Sequence, residues 1–110
     1  MLTDCYIAGF FDGEGSVKIY NHKDKRGFTY PELRISITNC DKIILSKIQT
    51  HFGCGKIRET GNHNRGHHHC FRLVFERKKD MLVILNQLLP FIIIKREECI
   101  KAINFLKGEI

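Results

Sequence analysis

Hydrophobic residues recur along this chain with two different periods. From Cys5 to Phe11 they run almost unbroken, and Tyr6 with Phe10, and Ile7 with Phe11, form i,i+4 pairs that would bury one broad face of a helix. Thr3 is placed to cap that helix, Asp4 in its first turn suits the helix dipole, and the segment extends to about Asp12. The opposite side is small: Cys5, Ala8, Gly9 and Gly13. A mid-helix glycine costs about 1 kcal/mol relative to alanine, so Gly9 reads as a place where another backbone packs closely.

After Gly15 the period becomes two. "SVKIYNH" sets Val17 and Ile19 against Lys18, Tyr20 and His22, and "YPELRISIT" sets Leu33, Ile35 and Ile37 against Glu32, Arg34, Ser36 and Thr38. "KDKRGF" between them reads as a hairpin tip. Asp41 then caps a helix with Ile44, Leu45, Ile48 and Phe52 at helical spacing, stopped by Gly53. "CGKIRET" and "HCFRLVFE" make a second hairpin around the polar tip "GNHNRGHHH", with Ile57, Phe71, Leu73 and Phe75 on one face and Lys56, Arg58, Arg72 and Glu76 on the other. Helices follow from Lys79 to Leu89, ended by Pro90, and from about Lys95 to Lys107. The order α-β-β-α-β-β-α-α predicts an α+β fold, a single domain over residues 1–110 whose helices cover the apolar face of one four-stranded antiparallel sheet.

The other sheet face changes the picture. It would display Lys18, Tyr20, His22, Glu32, Arg34, Ser36, Thr38, Lys56, Arg58 and Arg72, with Lys25 at a hairpin tip. The chain is 43% apolar and 27% charged, which excludes disorder, and its net charge is +6. A basic balance concentrated on one uncovered face points to nucleic acid, and a two-stranded ribbon fits the major groove of double-stranded DNA. "LLPFIII" is the longest apolar run and is too short to span a bilayer. The N-terminus lacks a basic segment before an apolar one, so an intracellular, non-secreted protein without a membrane partner is expected, in cytoplasm or organelle. Its five cysteines include no CxxC, and are expected to be reduced and mostly packed.

"IAGFFDGEG" places Asp12 and Glu14 around a glycine at the tip of the first helix. Two readings fit the spacing: the acids terminate the helix, or they hold a divalent metal beside a bound phosphate. Mg²⁺ suits carboxylate, carbonyl and water oxygens. The stretch resembles, position by position, the motif of the LAGLIDADG homing endonucleases. Ala8, Gly9, Asp12 and Gly15 match outright, and Ile7, Phe10, Phe11 and Glu14 are like-for-like replacements. The resemblance extends over nearly the whole chain, since the element order read above is that family's fold.

That resemblance implies a homodimeric, site-specific double-strand DNA endonuclease, a hydrolase or meganuclease of the intron-encoded kind. It would cut a long pseudo-palindromic site with Mg²⁺ or another divalent cation. Glu14 stands where the family holds its metal, with the carbonyl of Gly13 assisting; relatives mostly carry aspartate there. Asn39 in "SITNCDK" falls where a polar residue orients water, and Lys95 in "LPFIIIKREE" where a basic residue approaches the cleaved phosphate. Cys5, Ala8, Gly9, Asp12 and Gly13 would meet a second motif helix across the dimer. The same family includes nuclease-inactive relatives, intron-splicing maturases and DNA-binding regulators, and such a binding module is the alternative function.

"HNRGHHHC" offers possible Zn²⁺ ligands, but His67, His68 and His69 are consecutive and alternate faces on a strand. A DNA-contacting tip with Arg65 and partly protonated histidines is the better reading.

Overall fold

Thr3 opens the first helix as expected: its hydroxyl oxygen accepts the Tyr6 N–H at 3.1 Å, and α1 runs Asp4–Glu14. The computed structural model describes residues 2–60 and 70–108. The tip 61–69, with His67, His68, His69 and Arg65, lies outside the described residues. After α1 come β1 (Gly15–Lys23), β2 (Thr29–Asn39), α2 (Lys42–Phe52), β3 (Lys56–Glu59), β4 (Phe71–Phe75), α3 (Lys78–Leu88), a 3₁₀ turn Leu89–Phe91 at Pro90, and α4 (Arg96–Gly108). The element order is the expected one, and the last two helices are each displaced by one residue from their sequence-based limits.

The sheet is antiparallel throughout, in the order β1-β2-β4-β3. Leu33, Ile35, Ile37, Leu73 and Phe75 are buried on the helix-covered face, where Ile7, Phe11, Leu45, Ile48, Leu85, Leu88 and Leu106 meet them in one core. Asp41 caps α2 by accepting the Ile43 N–H at 2.9 Å, and Gly53 closes it at φ +71°, a left-handed conformation that glycine adopts without strain. Gly15 is required for another reason. A Cβ there would overlap the Phe11 ring, so the helix turns directly into β1 over a core aromatic.

Three expectations need correction. Ile19 is 47% exposed, because the outer half of the β1–β2 hairpin is a two-stranded ribbon: β2 pairs with β4 only from Ile35 to Asn39. On α1 the buried residues are Ile7, Ala8, Phe11 and Asp12, whereas Tyr6 is exposed and Phe10 half-buried. Ala8 lies three and four positions before Phe11 and Asp12, so helical geometry places it with them and not with Gly9. Finally, Cys40 and Cys70 are joined by a disulfide, with Cα atoms 4.0 Å apart. They continue the β2–β4 register one step past the Asn39–Phe71 pair, which sets them opposite each other. Cys5, Cys54 and Cys99 are free, and Cys99 is buried.

Candidate active site and nucleic-acid interface

The end of α1 gathers the chemistry. Its last turn contains no basic residue, although the carboxyl end of a helix is its negative pole and Asp12 and Glu14 add charge there. Compensation comes from far along the chain. The buried Asp12 carboxylate accepts the backbone N–H groups of Ile93 (2.7 Å), Ile94 (3.2 Å) and Lys95 (3.0 Å). The Lys95 ammonium donates to the carbonyl of Asp12 at 2.6 Å, satisfying one of the four carbonyls that a helix end leaves open. Burial by itself would raise the Asp12 pKa. The three backbone donors and the Lys95 charge outweigh it and hold the carboxyl below its ordinary value.

Asp12 is thus an anchor inside the chain, which fits its expected hydrogen-bonding role at the helix end but takes it away from an exposed interface. Glu14 ends the helix and is exposed, as is Gly13. Lys95 is half-buried and fixed two residues before Glu14 by the Asp12 carbonyl. Gly15 pairs with Ile37, so Asn39 lies two residues farther along β2, about 7 Å by strand geometry. The Asn39 side-chain carbonyl accepts the Asp41 N–H at 2.8 Å, leaving its amide NH₂ as a donor. The fold therefore brings Gly13, Glu14, Asn39 and Lys95 to one end of the sheet. Among the described residues no three His, Cys, Asp or Glu side chains cluster. One exposed acid beside the Gly13 backbone carbonyl at a negative helix end suits Mg²⁺, which keeps most of its waters and takes one or two carboxylates.

Beside that end, the uncovered sheet face holds Lys18, Tyr20, His22, Glu32, Arg34, Thr38, Lys56, Arg58 and Arg72, exposed or half-buried, and Lys25 is exposed at the ribbon tip. Ser36 shares the face but is buried, with Ser16 and Val74 as its cross-strand neighbours. Two cationic pairs stand directly opposite in register, Lys18 with Arg34 and Arg58 with Arg72. Like charges so placed repel, and a polyanion relieves the repulsion.

Arg34 is the best-held cation. Its guanidinium carbon lies 5.1 Å from the centre of the Tyr20 ring, and Nη2 donates to the Tyr20 hydroxyl at 3.2 Å and pairs with Glu76 at 3.5 Å. Tyr20 in turn donates to Glu32 at 2.5 Å. That bond, with burial, raises the Tyr20 pKa against the opposing charge of Arg34, so the phenol keeps its proton. Arg72 Nε reaches the Thr38 hydroxyl at 3.4 Å.

The family model described as LAGLIDADG endonuclease matches residues 7–94, most of the chain. The chain belongs to the LAGLIDADG endonuclease family. Solved homing endonucleases share its α+β fold. I-CvuI, in complex with the I-CreI target, superposes with a TM-score of 0.82 at 18% identity, over 94% of this chain and 65% of that one. The archaeal intron-encoded I-Vdi141I, complexed with DNA, gives 0.81 at 22% identity, over 96% of this chain and 67% of that one. I-CpaMI bound to uncleaved DNA gives 0.77 at 20% identity; 99% of this chain covers 39% of it. This chain thus spans just under two thirds of the I-CvuI chain. No curated protein sequence matches it.

Within this LAGLIDADG endonuclease domain, sequence reasoning missed three features. Val74 interrupts the polar sheet face and is buried, at 6% exposure, a position that the strict alternation of β4 does reveal. Tyr6 and Phe10, stacked with ring centres 6.4 Å apart, join Cys5, Gly9 and Gly13 on the uncovered stripe of α1. The Tyr20–Glu32–Arg34–Glu76 network was hidden because its members are far apart in sequence; only Tyr20 opposite Glu32 follows from the hairpin register.

Proposed function

We infer that the chain is one subunit of a homodimeric, site-specific endonuclease that hydrolyses both strands of a pseudo-palindromic DNA site in a Mg²⁺-dependent reaction. The observation that carries this reading is the pinning of Lys95 to the Asp12 carbonyl at the helix end from which Glu14 emerges. An ammonium fixed at the helix end that also carries an exposed carboxylate, beside a cationic sheet, suits the binding of a phosphodiester there. The solved relatives named above were bound to DNA, and I-CvuI was studied with Mg and with Ca.

The sheet face positions the duplex. Lysines and arginines engage phosphates, and the two-stranded ribbon from Ile19 to Leu33 enters the major groove, where Arg34 is held ready to meet base edges. Glu14 and the Gly13 carbonyl would hold the cation, which polarises a phosphoryl oxygen and acidifies a water. The Asn39 amide would orient an attacking water, and Lys95 would oppose the charge that builds on the phosphate. One chain supplies one such acid, so two chains cut two strands.

A second reading has an observation of its own. Glu14 is one methylene longer than the aspartate usual in the family, as expected if the fold now only binds nucleic acid. Incubating the protein with a randomised DNA library in Mg²⁺ and sequencing the ends separates the two. Paired cuts at a two-fold-related site support the endonuclease; enrichment by binding without new ends supports the binding module.

A further inference from the structure

The two β-hairpins meet along a short seam. β2 pairs with β4 over five residues, from Ile35 opposite Phe75 to Asn39 opposite Phe71. One step past the last pair, the Cys40–Cys70 disulfide ties the strands together. Strand alternation sets both cysteines on the uncovered sheet face, two residues beyond Thr38 and two before Arg72. Thr60 holds Cys70 from the other side, its N–H and its hydroxyl donating to the Cys70 carbonyl at 2.8 and 3.0 Å.

The bond closes the seam where two candidate functional side chains stand. Arg72 Nε reaches across the seam to the Thr38 hydroxyl at 3.4 Å, and Asn39 immediately precedes Cys40. The bond is also open to exchange, since Cys40 is exposed and Cys70 half-buried. Lys42, over the Phe71 ring at 5.5 Å, and the facing Arg58 and Arg72 make the neighbourhood cationic. Such a field concentrates small anions, and an exposed disulfide is the kind that thiols reduce readily.

We propose that Cys40 and Cys70 form a reversible thiol–disulfide site, exchanging with a small anionic thiol such as glutathione, that sets how sharply this face discriminates DNA sequence. A glutathione thiolate attacks the exposed Cys40 Sγ; the Sγ–Sγ bond breaks, and its electron pair leaves on Cys70 Sγ, which takes a proton. A second thiolate attacks the glutathione sulfur of the mixed disulfide and releases Cys40 Sγ, which takes a proton in turn. One protein disulfide and two small thiols thus become a protein dithiol and one small disulfide. With the seam end untied, Arg72 and Asn39 lose their fixed spacing, while the phosphate-binding lysines elsewhere on the sheet are untouched. Reduction therefore lowers discrimination more than affinity. This coupling rests on the reading of the sheet face as a DNA surface.

The full chain is equilibrated in oxidised or in reduced glutathione, and peptide mapping after alkylation reports the Cys40–Cys70 link. The link should form in the first and be lost in the second while the protein stays folded, its melting temperature falling by roughly 10 °C or more. Binding is then measured in Ca²⁺ on a target recovered by binding from the randomised library and on scrambled DNA. Reduction should lower the preference for target at least about fivefold, while affinity for scrambled DNA stays within about twofold. Cys40→Ser with Cys70→Ser should match the reduced parent and ignore glutathione. A link that never forms, or that the folded protein keeps in reduced glutathione, overturns the site. A preference that is present and equal in both states overturns the coupling and leaves the DNA reading intact. No preference in either state overturns both.

Discussion

Replacing Asp12 by asparagine probes the anchor at the heart of the site. The carboxylate accepts three backbone N–H groups through two oxygens, in a buried setting. Asparagine keeps the shape but offers one oxygen; its NH₂ must face at least one of the same donors. A hydrogen bond to a charged acceptor contributes about 1.5–3 kcal/mol and one to a neutral acceptor about 1. Losing one bond and weakening the other two by about 0.5–2 kcal/mol each therefore costs about 2.5–7 kcal/mol. A domain of this size has about 5–15 kcal/mol in total and loses about 4–8 °C of melting temperature per kcal/mol, so the variant should melt at least roughly 10 °C lower. Urea denaturation across pH adds a sharper criterion. Because the folded Asp12 pKa lies below its unfolded value, its contribution is complete above about pH 4 and vanishes as pH falls through the folded pKa. The gap between parent and Asp12→Asn should be constant near neutrality and close in acid. A gap under about 0.5 kcal/mol at pH 7, or one indifferent to acid, refutes the anchor.

Other expectations follow from single sites. Beyond the adjoining residues and backbone of α1, no atom of the described residues lies within 4 Å of a Cβ built on Gly9, so Gly9→Leu should leave the monomer folded while separating the subunits in sedimentation; an intact dimer would remove the α1 stripe from the interface. Arg34→Ala and Arg72→Ala should relax preference at defined base pairs, each by about 1–3 kcal/mol, whereas Lys25→Ala should weaken all targets alike and lower the salt slope by about 1. Even losses across a mismatch panel for the arginine variants would mean that the sheet does not read bases. Burial, with the Asp12 charge behind it, pushes the Cys99 thiol up to about 11, so alkylation at pH 8 should label Cys5 quickly and Cys99 only on unfolding. Rapid labelling of Cys99 in the native protein would contradict the packing.

Local periodicity carried the sheet and the helices because burial acts residue by residue: Leu33, Ile35 and Ile37 alternate in sequence and are buried together. It misjudged Ile19, whose exposure depends on β4 not reaching that far along β2. Ala8 was assigned by size to the small face, although its helical angle places it with Phe11. The disulfide between Cys40 and Cys70 depends on a strand register that spacing alone does not set. For the site, the motif pointed to Glu14 and Lys95 separately. What joins them is Asp12, whose partners lie more than eighty residues away in sequence.

The central claim is that Glu14 serves cleavage and not binding. Glu14→Gln removes the charge of an exposed side chain while leaving the helix end nearly unchanged in shape. On a target recovered from the library, we expect the variant to bind in Ca²⁺ within a few fold of the parent. Strand cleavage in Mg²⁺ should fall by at least about a hundredfold, which corresponds to about 2.7 kcal/mol in the barrier. A variant that cuts at the parent rate, or a parent that binds the target and never cuts it, would contradict the account.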